Sequence, residues 1–347
     1  MSSMKTLEPI IDGPRPSDKP PRVDFDPEKH LQFEPPSSVL TWEDLGYPKD
    51  HGISPIAVCQ PFRLFSDDAI QQMRAEIFQQ EVMENYRASS TIAAMQVRGY
   101  AEKHAPFIYA AWKHPKTLEL LSKVAGIDLS IKVDHEIGHL NFAVKPDDKP
   151  PEANPEIPTA QYSKEREVVG WHYDSYPYSC VTMLSDGTNM VGGETVMQLK
   201  NGQVLKLDKP KLGYAVVLQG RYVLHKGLTA SGGKERISMV TSLWPRSPFV
   251  KDETFLTNIR TVSNNDELYI QFAEYRLEML EERTRAQLKK IRDARLAGGR
   301  ISTTALKHFI AEQQQHLTVT DAALLEEEKV ERGIVKEIIV NEPIPTY

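Results

Sequence analysis

Between Ile127 and Pro245 the sequence falls into short β-branched and apolar runs separated by clusters of Gly, Asn, Asp and Ser, which predicts strands joined by turns. The runs are Ile131–Val144, Val168–Tyr173, Cys180–Leu184, Glu194–Leu199, Val204–Leu207, Tyr214–Leu218, Tyr222–Leu228 and Arg236–Leu243. Strands this short and this regularly spaced are expected to close into a barrel-like sandwich, of which the jelly roll is the commonest small form. No long repeat is visible, which sets aside propellers and solenoids. The fold class expected is therefore a mainly β core with flanking helices, α+β overall.

The flanks read differently. Five of the first 22 residues are Pro, so residues 1–38 are expected to form an extended arm. Residues 39–126 read as a helical lead-in packed on the core 127–248. Ser66-Asp67-Asp68 can cap a helix whose Ile70, Met73, Ile77 and Met83 recur at near-helical spacing. A second helical stretch is expected from Tyr109 to Val124, interrupted or kinked at Pro115 and stopped by Gly126. After Pro248, a charged run from Asp266 to Ala297 carries Leu268, Phe272, Tyr275, Met279, Leu288 and Ile291, and Gly298-Gly299 ends it. Ser302 starts another helix through about Gln315, so residues 249–333 are expected to make a C-terminal helical hairpin, a packing or homodimerising appendage. The tail, 334–347, is aliphatic enough that it must dock. Ile344 is expected over or beside the open mouth of the barrel, against the substrate, with the outer face or a partner subunit as the alternative.

Charge and cysteine content narrow the chemistry. Forty-two Lys and Arg stand against 48 Asp and Glu, a net charge of −6 with no basic run, which gives no electrostatic reason to expect nucleic acid or an anionic membrane as a partner. Only Cys59 and Cys180 are present, so disulfide frameworks and thiolate-rich metal sites are excluded and any metal must sit on His and carboxylate. The first residues lack a signal-peptide core and no long apolar stretch occurs, so a soluble, cytoplasmic protein is expected.

Two metal motifs compete. His135-Glu136-Ile137-Gly138-His139 is an H-E-x-x-H, which on a helix places two imidazoles on one face for zinc with the Glu as base. The flanking Ile131, Val133, Leu140, Phe142 and Val144 favour a strand, where residues four apart stand ~13 Å from each other, too far to share an ion. The second motif is His172-Tyr173-Asp174. On a strand, residues i and i+2 face one side, so His172 and Asp174 can offer a nitrogen and an oxygen to one metal, with His225 as third ligand from a later strand. Two His and one carboxylate make the facial triad of non-haem Fe(II) oxygenases. Arg236 and Ser238 again share a strand face and can hold a carboxylate by a guanidinium fork and a hydroxyl.

The segments Gly170-Trp-His-Tyr-Asp-Ser-Tyr-Pro, Gly192-Gly-Glu-Thr, Gln219-Gly-Arg-Tyr-Val-Leu-His-Lys-Gly and Arg236-Ile-Ser resemble the Fe(II)/2-oxoglutarate-dependent dioxygenases, most of all the fungal members of secondary metabolism. The resemblance covers about residues 127–245. It implies a double-stranded β-helix of the cupin kind, Fe(II) held by His172, Asp174 and His225, and the distal carboxylate of 2-oxoglutarate held by Arg236 and Ser238, with O2 as the oxidant. It further implies a small-molecule substrate, an amino acid or natural-product intermediate, with hydroxylation, desaturation or ring closure such as aziridine formation as outcomes. A zinc hydrolase using His135, Glu136 and His139 and a metal-free jelly-roll binding module are the other classes weighed.

Substrate contacts are less sharply marked. Asn141, Tyr178 and Gln198 are polar strand residues able to line a pocket, and Arg98 and Arg221 can hold a substrate carboxylate, although a surface location is the ordinary reading for Arg. Trp171 and Trp244 end apolar strands and are read as core, and Cys180 as a buried thiol.

Overall fold

The computed structural model describes residues 22–91, 93, 95–143, 169–188, 190–228, 230–231 and 235–335. Up to Ala143 lie β1 (Val39–Thr41), β2 (Ile56–Cys59), β3 (Phe62–Arg63), β4 (Arg87–Ala88), β5 (Gln96–Val97), β6 (Leu129–Ser130) and β7 (His139–Ala143). There follow β8 (Val169–His172), β9 (Tyr178–Met183), β10 (Val191–Gly192), β11 (Thr195–Gln198) and β12 (Val204–Lys206). The last are β13 (Tyr214–Leu218), β14 (His225–Gly227), β15 (Ala230–Ser231) and β16 (Arg236–Pro245). Helices are α1 (Pro27–His30), α2 (Asp67–Ile77), α3 (Gln80–Asn85), α4 (Ala101–His104), α5 (Pro106–Lys113), α6 (Pro115–Ala125), α7 (Asn265–Leu296) and α8 (Thr303–Ala323). The strands form a ten-stranded antiparallel sheet ordered β1-β2-β13-β9-β16-β7-β5-β4, with β3 on β13 and β6 on β16, and a four-stranded antiparallel sheet ordered β12-β11-β14-β8. β10 and β15 pair separately.

β16 explains how the large sheet sorts its residues. It lies between β9 and β7, and all ten of its residues are buried. Ile237, Met239 and Leu243 join the core cluster under the helices, where Trp112 of α5 donates its indole N–H to the Met239 sulfur at 3.3 Å. The alternate residues Arg236, Ser238, Val240 and Ser242 face the other way, and strand pairing sets Asn141, His139 and Ser179 opposite Ser238, Val240 and Ser242. One face of the sheet is thus an apolar seat for helices and the other carries polar side chains. A second cluster, including Trp42, Val58, Val216 and Leu218 with Met197 of β11, joins the large sheet to the small one.

Local chemistry accounts for the helix ends. Ser66 caps α2, its hydroxyl accepting from the Ala69 N–H at 3.2 Å. Pro115 cannot continue a helix begun at Pro106, so of the interruption or kink expected there it is the interruption that occurs, between α5 and α6, and α6 closes on Gly126 in the left-handed conformation at φ 69°. α7 starts against the β core, where Leu268, Phe272, Tyr275 and Met279 pack with Tyr176, Trp244 and Leu256. Burial at ~1.5–3 kcal/mol per large side chain anchors that half of the helix.

Several expectations are corrected. The lead-in 39–126 is not purely helical, because β1 to β5 fall within it and extend the large sheet. Within the expected arm, residues 22–38 pack rather than extend freely: Phe25, Leu31 and Phe33 lie on the core and His30 is buried. The strand drawn from Ile131 begins only at His139, because Asp134–Glu136 form one turn of 3₁₀ helix. α8 runs to Ala323, well beyond Gln315. Trp171 is not core. It is 37% exposed, with the Lys226 ammonium 5.0 Å above its ring. Trp244 is buried, donating to the Thr254 hydroxyl at 3.1 Å.

Candidate metal centre

β8 and β14 are neighbours in the small sheet, and their register sets His172 directly opposite His225. The two rings lie 4.4 Å apart. Asp174 follows β8 by two residues, and its backbone N–H donates to the Gly220 carbonyl at 2.9 Å, which draws its side chain under both rings. Asp174 Oδ1 is 3.4 Å from His172 Nε2 and 3.6 Å from His225 Nε2. Among the described residues this is the group of His, Cys, Asp and Glu side chains whose donor atoms all fall within 4.8 Å of one another.

The outer hydrogen bonds decide what those atoms present. His172 Nδ1 lies 2.7 Å from the Gly170 carbonyl and His225 Nδ1 2.9 Å from the Val223 carbonyl. A carbonyl only accepts, so Nδ1 carries the proton on each ring and Nε2 is left with a lone pair. Both lone pairs then face a carboxylate oxygen. Three acceptors in one space repel one another unless a cation lies among them, and two imidazoles with one carboxylate suit a first-row divalent metal. The same demand for positive charge appears in the titration of the groups, because where no cation lies between them the imidazoles meet it by taking a proton at Nε2. Burial opposes ionisation of Asp174, yet the neighbouring His225 charge and the bonds from both rings hold its carboxyl well below the usual range. Burial likewise lowers the His225 pKa, and the Asp174 charge outweighs it and raises the value.

Asp174 is held from its far side as well. Ser179 of β9 donates its hydroxyl to Oδ2 at 2.6 Å. Gly220 leaves the space that Oδ2 fills, since a Cβ there would stand 1.8 Å from it. Neither residue is marked by local spacing in the sequence.

Arg236 is 6% exposed and donates from Nε and an Nη to the Gly193 carbonyl at 3.3 and 3.0 Å, and from the other Nη to Ser238 Oγ at 3.4 Å. Among the described residues no carboxylate is within ion-pair distance of it. Burial drops its pKa to about 10, with the Glu194 charge acting in the opposite sense. A buried guanidinium with no carboxylate against it has the charge and the fork to take an anion.

A cavity of about 90 Å³ opens beside the centre, lined by His172 and Asp174 together with Arg98, Glu136, His139 and Asn141. Arg98, for which a surface position was the ordinary expectation, is 6% exposed and pairs with Glu136 at 2.5 Å. Arg98 Nε, Glu136 Oε1 and His139 Nδ1 are buried without partners. Burial and the Arg98 charge keep the His139 pKa well below its ordinary value, so the ring is neutral. The H-E-x-x-H motif does not assemble a zinc site. His135 stands on the 3₁₀ turn with Nδ1 3.8 Å from Glu267, while His139 Nδ1 is 4.0 Å from Glu136.

Other expected contacts fall elsewhere. Tyr178 does not line the cavity, because it points into the cluster under the helices. Gln198 is half-buried on β11, away from the cavity. Arg221 donates to the Glu253 carbonyl at 2.9 Å and lies 4.3 Å from the Phe255 ring centre. Ile344 lies outside the described residues. Cys59 and Cys180 are buried, and burial pushes the Cys59 thiol up to about 12 and the Cys180 thiol further, so neither is a nucleophile.

No protein-family model and no curated protein matches the sequence. The structure is similar to solved structures of the 2OG-Fe(II) oxygenase family. One, from Burkholderia pseudomallei, is 16% identical over 46% of this chain and 63% of that one, with a TM-score of 0.31. A Pseudomonas putida prolyl-4-hydroxylase is 19% identical over 52% and 87% of the two chains at 0.34. The non-haem α-ketoglutarate-dependent carbocyclase of nogalamycin biosynthesis is 12% identical over 61% and 88% at 0.41.

Proposed function

We propose that the protein is a non-haem Fe(II)- and 2-oxoglutarate-dependent dioxygenase built on a double-stranded β-helix. The observation that carries this reading is the convergence of His172 Nε2, His225 Nε2 and Asp174 Oδ1 in one metal-sized space, with the Nδ1 of each ring turned to a backbone carbonyl. Fe(II) bound there with 2-oxoglutarate and O2 supplies oxidation of a substrate C–H bond, with release of succinate and CO2. The chain's own residues position the reactants. The Gly170 and Val223 carbonyls fix the rings, and Ser179 fixes the carboxylate. Arg236, with Ser238, takes the distal carboxylate of 2-oxoglutarate, which satisfies its buried charge.

The substrate occupies the cavity beside His172. Its wall supports a small polar molecule, an amino acid above all, because Arg98 and Glu136 keep one unsatisfied donor and one unsatisfied acceptor at the same place. Those suit a carboxylate and an ammonium. Asn141, on the same wall, adds an amide.

Anaerobic addition of Fe(II) and then 2-oxoglutarate tests the reading through the weak visible charge-transfer band of the chelate. The band is expected in the native protein and lost in His225→Ala. Its absence from the native protein, or its persistence in the variant, refutes the assignment.

A further inference from the structure

After Met279 no residue of α7 is buried, and none of α8 is until His316, so the distal part of the hairpin projects about 25 Å from the core at 1.5 Å per residue. Residues 283–300 hold seven Arg or Lys and one Asp, a net charge of +6 within a chain of −6. The rest of the molecule therefore carries −12. Averaging over the whole sequence hides this separation, and with it the electrostatic reason to expect an anionic partner.

Within this segment Lys289 is taken by Asp293 and Arg285 by Glu281. Lys290, Arg292, Arg295 and Arg300 are exposed and have no ion-pair partner among the described residues. Leu288, Arg292, Arg295 and Leu296 stand at i, i+4, i+7 and i+8, which puts cations and leucines on one helix face. Leu296 is 87% exposed and Leu288 42%, and Ile301, just past the Gly298-Gly299 turn, is 47% exposed. Aliphatic side chains offered to water between unpaired guanidinium groups are the pattern of a helix that lies on a charged bilayer, with its leucines at the acyl boundary and its cations among the headgroups.

We propose that the tip of the α7–α8 hairpin docks the protein on an anionic lipid surface through Arg292, Arg295, Leu296, Arg300 and Ile301. A duplex or single-stranded nucleic acid fits less well, since residues 283–301 include no aromatic ring for base stacking and the exposed leucines would gain nothing from a phosphate backbone. Two copies packed tip to tip would set +6 against +6. The docking is peripheral, as no helix among the described residues is long and apolar enough to cross a membrane.

The test is co-sedimentation of the full-length protein with vesicles of equimolar phosphatidylserine and phosphatidylcholine, and with phosphatidylcholine alone. Binding is expected to the mixed vesicles only and to weaken with salt. Each basic residue near an anionic surface multiplies partition by about fivefold, so Arg292→Glu, Arg295→Glu and Arg300→Glu together should reduce it by more than roughly a hundredfold. These side chains are exposed, so circular dichroism of the triple variant should match the native protein. Leu296→Ser, which keeps the charge, should weaken binding without abolishing its salt dependence. Three results overturn the proposal: no binding, equal binding to both vesicles, or indifference to the triple reversal. Tighter binding to a DNA duplex at the same salt, or a dimer that the triple reversal converts to monomer while vesicle binding stays unchanged, would overturn it as well.

Discussion

Replacing Gly220 by Ala should remove the metal from a protein that stays folded. Its φ is not in the left-handed region, so the backbone accepts an L side chain. The difficulty is space. The added Cβ would stand 1.8 Å from Asp174 Oδ2 and 2.5 Å from Cγ. Contacts below about 3 Å are forbidden, so the carboxylate must retreat by roughly 1.2 Å or more. The hydrogen bond between Asp174 N and the Gly220 carbonyl holds the two segments 2.9 Å apart and leaves the side chain to absorb the shift. Ligand distances tolerate only about 0.2 Å, so Oδ1 leaves the centre and two imidazoles remain. Affinity for Fe(II) or Mn(II), measured anaerobically by calorimetry, should fall by more than about a hundredfold, since loosening an outer partner alone accounts for 10–100-fold. Ser179→Ala, which removes only the 2.6 Å bond to Oδ2, should fall in that smaller range. The overpacking itself should lower stability by about 1–3 kcal/mol, visible as a shifted urea midpoint. A folded Gly220→Ala protein that binds metal within about threefold of the native affinity would refute the reasoning.

Other outcomes follow from single side chains. Arg236→Lys keeps the charge and loses the fork, so 2-oxoglutarate affinity should drop about tenfold or more while Fe(II) still binds; unchanged affinity would move the anion site elsewhere. His316 is buried between α7 and α8, where burial and the Arg276 charge lower its pKa from 6.5 to about 4. The unfolded chain then takes up a proton that the folded one refuses, so stability present above pH 6.5 is lost as pH falls through about 4, a change of about 3 kcal/mol that His316→Gln should abolish in urea titrations. Glu76 behaves oppositely. Burial raises its carboxyl from 4.5 to about 7 despite the bonds it accepts from the Phe107 and Ile108 N–H groups. Stability present below pH 4.5 is lost as pH rises through about 7, again by about 3 kcal/mol, and Glu76→Gln should flatten the profile in that window.

Which of these residues could be read before folding follows from the range of the forces that place them. A strand repeats every two residues, so the shared face of Arg236 with Ser238 was legible from spacing, and the same spacing picked out His172 with Asp174, although Asp174 lies past the end of β8 and its backbone is held by the Gly220 carbonyl. Helix starts at Ser66 and Ser302 and stops at Gly126 and Gly298-Gly299 were legible for the same reason, because caps satisfy backbone groups within one turn. Periodicity says which residues share a face and is silent on what covers it. Tyr178 and Ser179 are neighbours on β9, yet one enters the apolar seat under the helices and the other holds Asp174, a choice made by α5 and α6 covering one side of the sheet. Arg98 had surface as its ordinary reading until Glu136, 38 positions away, was brought against it, a buried carboxylate that offsets the cost of burying the guanidinium. The short strands β1 to β5 had no pattern of their own. Two to four residues cannot show a period, and they become strands by pairing with one another and with β7 and β13. Local spacing carried the chemistry of the candidate centre, and long-range packing decided which side chains surround it.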